Sequence, residues 1–485
     1  MNNPQKKTPL LTILKELALK QDAPFYTPGH KKGQGVSKSL KQLMGRNIFR
    51  ADLPELPELD NLFAPSGVIK EAQNLAAKAF GAKKTWFLAN GSTSGIIASI
   101  LATCGEGDKI ILPRNIHQSA IFGLILSGAT PIFINPQYNS DFDLCYTISV
   151  SQIADVLQTH DNVKAIMVVS PTYHGICANL TEIANYAHKY SIPLLVDEAH
   201  GGHFSFHSQL PMSALEAGAD IAIQSTHKVL GAMTQASMIH LQGNLVNPSR
   251  ISLALPLVQS SSPNYLLLAS LDGARQQMAI SGEKLLTHTL NLANIARKKI
   301  KKLEYLSILD FIKPTNTFTD LDITRLTINV SKLGLTGYEV DDILHQQFSV
   351  TCELPSLQNL TFILSIGNNL QDIKMLITAL KQIKQYRKKE QNITKINPSS
   401  LPYSPLRITP RQAFLAEKKV VSQHLAINQI SGENICPYPP GIPLIMAGEI
   451  ITQEALDYTQ QIINSGGIIT GISDESLETL QIISN

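Results

Sequence analysis

Apolar and polar positions along the chain change period several times, and the changes mark out its elements. Residues 8–20 place Leu11, Leu14, Leu17 and Leu19 at helical spacing, which predicts a leading amphipathic helix able to cover a partner surface. From Ser66 onward, short apolar runs alternate with helical stretches. Trp86-Phe87-Leu88-Ala89 precedes a helix from Ser92, Lys109-Ile110-Ile111-Leu112 one from His117, and Pro131-Ile132-Phe133-Ile134 one near Ser151. The runs that begin at Lys164, Pro193 and Ile221 continue the series. This βαβα order predicts an α/β fold, with a mostly parallel sheet covered by helices on both faces.

Beyond Arg250 the pattern becomes one long helical region, reaching Leu303, of the kind that bridges two domains. Strands at 326–330, 350–353 and 362–365, with helices at 337–348 and 370–388, predict a smaller α/β domain. Ser and Pro crowd residues 397–405, which reads as a linker. The expected division is an N-terminal helix and extended segment over 1–62, a large domain over 63–314, the small domain over 315–395 and a C-terminal domain over 396–485.

Composition narrows the class. The 485 residues, 44% hydrophobic, are enough to bury sizeable cores. Lys and Arg total 41 against 38 Asp and Glu, and no basic run is long enough for a nucleic-acid footprint; the Lys-rich stretch at 381–389 reads as the solvated end of a helix. Five scattered cysteines, Cys104, Cys145, Cys177, Cys352 and Cys436, form no Cys-x-x-Cys pair and fit a reducing compartment. Lys15 and Glu16 interrupt the first apolar run too early for a signal sequence, and no apolar segment approaches the ~20 residues that span a bilayer. A cytoplasmic protein is expected, without membrane or nucleic-acid partners.

The candidate chemistry converges on Lys228. It follows Ile221-Ala222-Ile223, so it is presented near a strand's end, where ligands of α/β sheets sit. A partly desolvated lysine favours its neutral amine and can form a Schiff base with an aldehyde. Asp197 closes another apolar run, where its carboxylate could keep a pyridine nitrogen protonated and make the ring an electron sink. Ser225 and His227 flank the lysine with donors suited to a phosphate or carboxylate. Between the first strand and its helix, Asn90-Gly91-Ser92-Thr93-Ser94-Gly95 offers N–H groups, hydroxyls and a helix dipole to an anion.

Asp197-Glu198-Ala199-His200-Gly201 followed by Ser225-Thr226-His227-Lys228 resembles the ornithine/lysine/arginine decarboxylase family, pyridoxal-phosphate enzymes of fold type I. The segments 24–33, 52–60, 259–265 and 433–443 resemble stretches of the same family. The resemblance implies an aminotransferase-like large domain, pyridoxal 5'-phosphate on Lys228, a phosphate cradle at Gly91, Ser92 and Thr93, and stacking of His117 on the pyridine ring. It implies that residues 259–265, with Ser261, reach the phosphate of a neighbouring subunit, so that a homodimer or higher oligomer shares the site. The N-terminal wing domain of larger bacterial members has no room in this length. The implied reaction removes CO2 from a basic L-amino acid, arginine or lysine ahead of ornithine, giving an amine of polyamine metabolism. Lys228 or a neighbouring His, His200 or His227, then returns a proton to Cα. Asp52, Glu55 and Glu433 are candidates for the carboxylate that receives the substrate's cationic end.

Three rivals have specific requirements. An aminotransferase of the same fold needs an Arg clamp for the α-carboxylate, for which Arg325 is available. A metal-dependent hydrolase would use His200, His203 and His207, the last two at i,i+4 spacing, although the glycines nearby argue against a helix there. A nucleotide-driven helicase would use Asp197 and Glu198, but no Walker A loop accompanies them.

Overall fold

The computed structural model describes residues 3–311, 313–388 and 403–484; most of the stretch expected to be a linker lies outside these residues. In chain order the elements used below begin with α1 (Pro9–Leu19), α2 (Val68–Phe80), β1 (Lys84–Leu88), α3 (Gly91–Thr103), β2 (Lys109–Pro113) and α4 (Gln118–Ser127). There follow β3 (Thr130–Ile134), α5 (Val150–Thr159), β4 (Val163–Val169), α6 (Leu180–Lys189), β5 (Leu194–Asp197), β6 (Ile221–Gln224), the single turn α7 (Thr226–Val229) and β7 (Ser237–Leu241). Then come α8 (Pro248–Val258), α9 (Tyr265–Ile300), β8 (Ser307–Ile308), β9 (Arg325–Asn329), α10 (Gly337–Phe348), β10 (Leu354–Pro355), β11 (Asn359–Ile363) and α11 (Leu370–Gln382).

The chain forms two compact units, each built from discontinuous segments: Met1–Thr103 with Pro193–Leu286, and Cys104–Ile192 with Thr287–Asn485. In the first unit the strand order is β1-β7-β6-β5. β5 and β6 run parallel, with Asp197 opposite Ile223, while β7 is antiparallel to both β6 and β1. In the second unit β4, β2 and β3 are parallel neighbours. The class is thus α/β with a mixed, mostly parallel sheet, as the alternation of apolar runs and helices implies. The second unit also holds an antiparallel sheet of order β8-β9-β11-β10, whose core includes Leu326, Ile328, Leu360 and Leu380.

Two expectations shift on inspection. Residues 350–353 are not a strand. Ser349 ends α10 in the left-handed region (φ +52°), and the Cys352 N–H bonds the Asp341 carboxylate, so this stretch serves the helix end and pairing begins at Leu354. The helix expected to reach 388 stops at Gln382 and tightens into a 3-10 turn, Ile383–Tyr386.

α1 forms where expected, but it buries Leu10, Leu14 and Leu17 and leaves Leu11 and Leu19 exposed at 41% and 63%. Its apolar stripe is satisfied within its own unit, where it packs on α2 and the short helix Arg46–Ala51. The start of α1 is fixed by Asp272 of α9, whose Oδ2 accepts from the N–H groups of Leu10 (3.0 Å) and Leu11 (3.3 Å). Asp272 also pairs with Arg275, which donates to the carbonyls of Gln5 (2.8 Å) and Lys7 (2.6 Å). Asp272 and Arg275 are themselves buried. Removing one partner of a buried ion pair strands the other in low dielectric, so Asp272→Ala should cost about 3 kcal/mol. Urea unfolding followed by circular dichroism would measure it, and a loss under about 0.5 kcal/mol would mean that α1 is held by its leucines alone.

Candidate active site

Parallel pairing brings the ends of β5 and β6 together at one edge of the sheet. Asp197, the last residue of β5, is buried, and its Oδ1 accepts from the Ala199 N–H at 3.1 Å. Burial raises its carboxyl above the usual range, opposed by the positive charge of Lys228 and by the Ala199 N–H. A desolvated carboxylate of this kind gains from a cationic partner.

β6 ends at Gln224, and Ser225 leads into α7, which carries Lys228. The half-buried Lys228 Nζ lies 2.9 Å from His200 Nε2. His227 Nδ1 donates to the Ala236 carbonyl at 3.0 Å. Burial pushes the His227 ring down, with Lys228 adding to the effect and the Ala236 bond opposing it. In its neutral form the ring therefore presents an acceptor at Nε2. This narrows the donor role expected of His227, because its one N–H is already spent.

The expected anion cradle is joined to this turn. Ser225 Oγ donates to Ser92 Oγ at 2.7 Å, across 133 positions of sequence. Gly91 opens α3 with φ +73°, and Ser92 and Thr93 follow in its first turn. The first N–H groups of an α-helix have no intrahelical acceptor and face outward along a favourable dipole. α3 lies close against the sheet because Gly95 has no side chain: a Cβ there would sit 2.7 Å from Leu88 and 2.9 Å from Ile223. Ser260 N approaches Asn90 Oδ1 at 3.5 Å, and Gln259 Oε1 accepts from the Ala89 N–H at 2.8 Å. Ser261 itself is exposed. Lys228, Asp197, His200, His227, Ser225, Gly91, Ser92, Thr93 and Ser261 thus all belong to the first unit.

His117 belongs to the second unit, where it caps α4 by accepting from the Ser119 N–H. Gly441 packs on it: a Cβ at this glycine, whose φ is +84°, would lie 3.4 Å from His117 Nε2. Stacking by His117 stays an implication of the resemblance. Of the candidate substrate carboxylates, Asp52 pairs with His30 at 3.0 Å and Glu55 accepts from Asn61. Glu433 accepts from Ser473 and Gln481. Arg325 is fully buried, with Asp322 Oδ2 3.7 Å from its Nε. His203 and His207 flank the 3-10 turn Phe204–Phe206, and His207 is extended, so they do not share a helical face. Among the described residues no group of three His, Cys, Asp or Glu is placed to hold a metal ion.

Known proteins match this chain over nearly its whole length. The pattern of the Orn/Lys/Arg decarboxylase major domain matches residues 8–324, and that of the family's C-terminal domain matches 402–475. The chain belongs to this decarboxylase family. Arginine decarboxylase of Bacillus subtilis (strain 168) is 40% identical over 482 residues, 99% of this chain and 98% of that one. Arginine decarboxylase of Halalkalibacterium halodurans is 38% identical with equal coverage. The constitutive lysine decarboxylase of E. coli superposes with a TM-score of 0.85 at 20% identity, covering 99% of this chain and 82% of that one, which shows a shared fold.

In this decarboxylase-family chain the family's motifs assign no role to two buried groups. Arg114, just past β2, makes a two-pronged pair with Glu449 (2.8 Å each) and donates to the carbonyls of Pro443 and Leu444. The other is Glu198, beside Asp197. Its Oε2 accepts from Gln224 Nε2 and its Oε1 from the Ala214 N–H, both at 2.7 Å. A charged residue that directly follows an apolar strand was the available signal for both.

Burial raises the Glu198 carboxyl from 4.5 to about 8, with the Gln224 and Ala214 donors opposing. The folded-state value lies above the unfolded one. Glu198 therefore favours folding fully below the unfolded value and loses that contribution as pH rises through about 8. Wild type should lose stability relative to Glu198→Gln between about pH 5 and 9 in urea titrations. A difference that stays constant across that window would show that Glu198 does not titrate there.

Proposed function

We propose that this chain is a pyridoxal-phosphate-dependent decarboxylase of a basic L-amino acid, with arginine as its preferred substrate. The observation that carries this is the grouping of Lys228 with His200, of the desolvated Asp197, and of the Ser92–Ser225 bond within one unit. Arginine is favoured because the relatives that match end to end bear that name. The residues fit the cofactor: Asp197 lacks a full cationic partner that a protonated ring nitrogen would be, and the first turn of α3 with Ser92 and Ser225 suits a phosphate.

Pyridoxal phosphate supplies an aldehyde that condenses with amines and a ring that takes up the electron pair left at Cα when CO2 departs. Lys228 would hold that aldehyde, with its amine the group that bonds to it. Asp197 holds the proton on the ring nitrogen in a site where low dielectric strengthens the interaction. The Lys228 amine would return a proton to the substrate Cα, with His200 2.9 Å away to exchange it.

The remaining parts of this proposal are a cytosolic setting, Ser261 reaching the phosphate across a homodimer, and an amine product of polyamine metabolism. Among the described residues no helix is long and apolar enough to cross a membrane.

Purified, cofactor-loaded protein given equimolar arginine, lysine and ornithine should yield mainly agmatine by mass spectrometry; dominant cadaverine or putrescine would move the substrate assignment. Lys228→Ala should keep the cofactor only non-covalently and lose turnover. Asp197→Asn should bind it but turn over at least ~100-fold more slowly, as on loss of an electrostatic stabiliser. A near-normal rate for Asp197→Asn would remove that residue's assigned role.

A further inference from the structure

Behind the Lys228 site, on residues that no step of the proposed chemistry uses, a line of four buried side chains crosses the sheet of the first unit. Thr85 Oγ1 lies 2.7 Å from His240 Nδ1, His240 Nε2 3.2 Å from Gln224 Oε1, and Gln224 Nε2 2.7 Å from Glu198 Oε2. Each strand contributes one member: Thr85 on β1, His240 on β7, Gln224 on β6, and Glu198 directly after β5. All four are buried, so water cannot substitute for a missing partner. Its last two members are next to the site. Glu198 directly follows Asp197, and Gln224 directly precedes Ser225 and the Lys228 turn.

We propose that Glu198 and Gln224 are positioning residues: their bond, anchored through His240 to Thr85, fixes the spacing between the strand end that presents Asp197 and the one that presents Ser225 and Lys228. Backbone pairing alone holds β5 to β6 only as far as Asp197 opposite Ile223 and the Glu198 N–H on the Ile223 carbonyl. The Glu198–Gln224 bond is the side-chain link at the point where the ladder ends. The same bond satisfies buried groups, so removing one member alone leaves its partners unpaired and lowers stability, and the positioning role is read from the spectrum and kcat rather than from unfolding.

The line can run in either direction. With Glu198 ionised, Thr85 donates to His240, His240 to Gln224 and Gln224 to Glu198. With Glu198 protonated, a turned Gln224 amide and the other His240 tautomer reverse every bond and leave none unmade. The neutral form places no second negative charge beside Asp197, and a glutamine at 198 reproduces it.

This proposal rests on Lys228 holding pyridoxal phosphate. The test compares wild type, Glu198→Gln, Glu198→Leu and Thr85→Val as cofactor-loaded proteins, reading the visible absorption band, its loss on borohydride reduction, kcat and KM, with thermal unfolding of each. Glu198→Gln should keep the wild-type spectrum and a kcat within about threefold. Glu198→Leu, which leaves the Gln224 amide and the Ala214 N–H without an acceptor, should unfold at a lower temperature and, where folded, show a shifted band and a kcat lower by about 10- to 100-fold, the effect of a small misplacement of reacting groups, with KM little changed. Thr85→Val, three side chains from Asp197, should change band and kcat in the same direction by less, and decides the matter if Glu198→Leu does not fold. Unchanged spectra and kcat in the folded apolar variants, or a Glu198→Gln as impaired as Glu198→Leu, would overturn the positioning role. Wild type without a borohydride-reducible band at Lys228 would instead overturn the cofactor assignment on which it rests.

Discussion

Parallel pairing of β5 with β6 sets Asp197 opposite Ile223 and so delivers a carboxylate and the Ser225–Lys228 turn to the same end of one sheet. An antiparallel neighbour would send one of the two to the far edge. The antiparallel strand β7 lies on the other side of β6, where its contribution is to hold β1 and hence the start of α3. From that order follow the Ser92–Ser225 bond and the need for Gly95, since α3 must lie close enough to the sheet for two hydroxyls 133 positions apart to meet.

The electrostatics of the site come from desolvation more than from charge pairs. Asp197, Glu198 and His240 are buried, and each is moved toward its neutral form, His240 down to about 3. Of these, Asp197 alone feels an opposing cation, Lys228. A site assembled this way is costly when incomplete and is steadied by a ligand that supplies the missing positive charge.

Much of this was legible in the residues. The apolar runs at 109–112, 131–134 and 221–223 became strands because nothing competed with their period. The grouping of Lys228, Ser225 and Asp197 followed from their places at the ends of such runs. Residues 350–353 misled because their backbone N–H groups are committed to closing α10, that of Val350 on the Leu344 carbonyl and that of Cys352 on the Asp341 carboxylate. Leu10 rather than Leu11 turned inward because the helix entry was dictated by Asp272, 262 positions away. The line from Thr85 to Glu198 has no local signature at all: its members are single polar residues inside or beside apolar strands, and only the register of four strands brings them into bonding distance.

The split of the first unit into Met1–Thr103 and Pro193–Leu286 has a consequence for synthesis. β1 and the start of α3 emerge from the ribosome early, yet the strand that pairs β1 is Ser237–Leu241 and the carboxylate that caps α1 is at 272. Translating that interval of about 150 residues takes roughly ten to thirty seconds. Throughout it, Trp86, Phe87 and Leu88 have no strand partner, an exposed apolar edge of the kind that attracts other chains. For that interval the Trp86–Leu88 run is therefore a segment that a chaperone would have to shield.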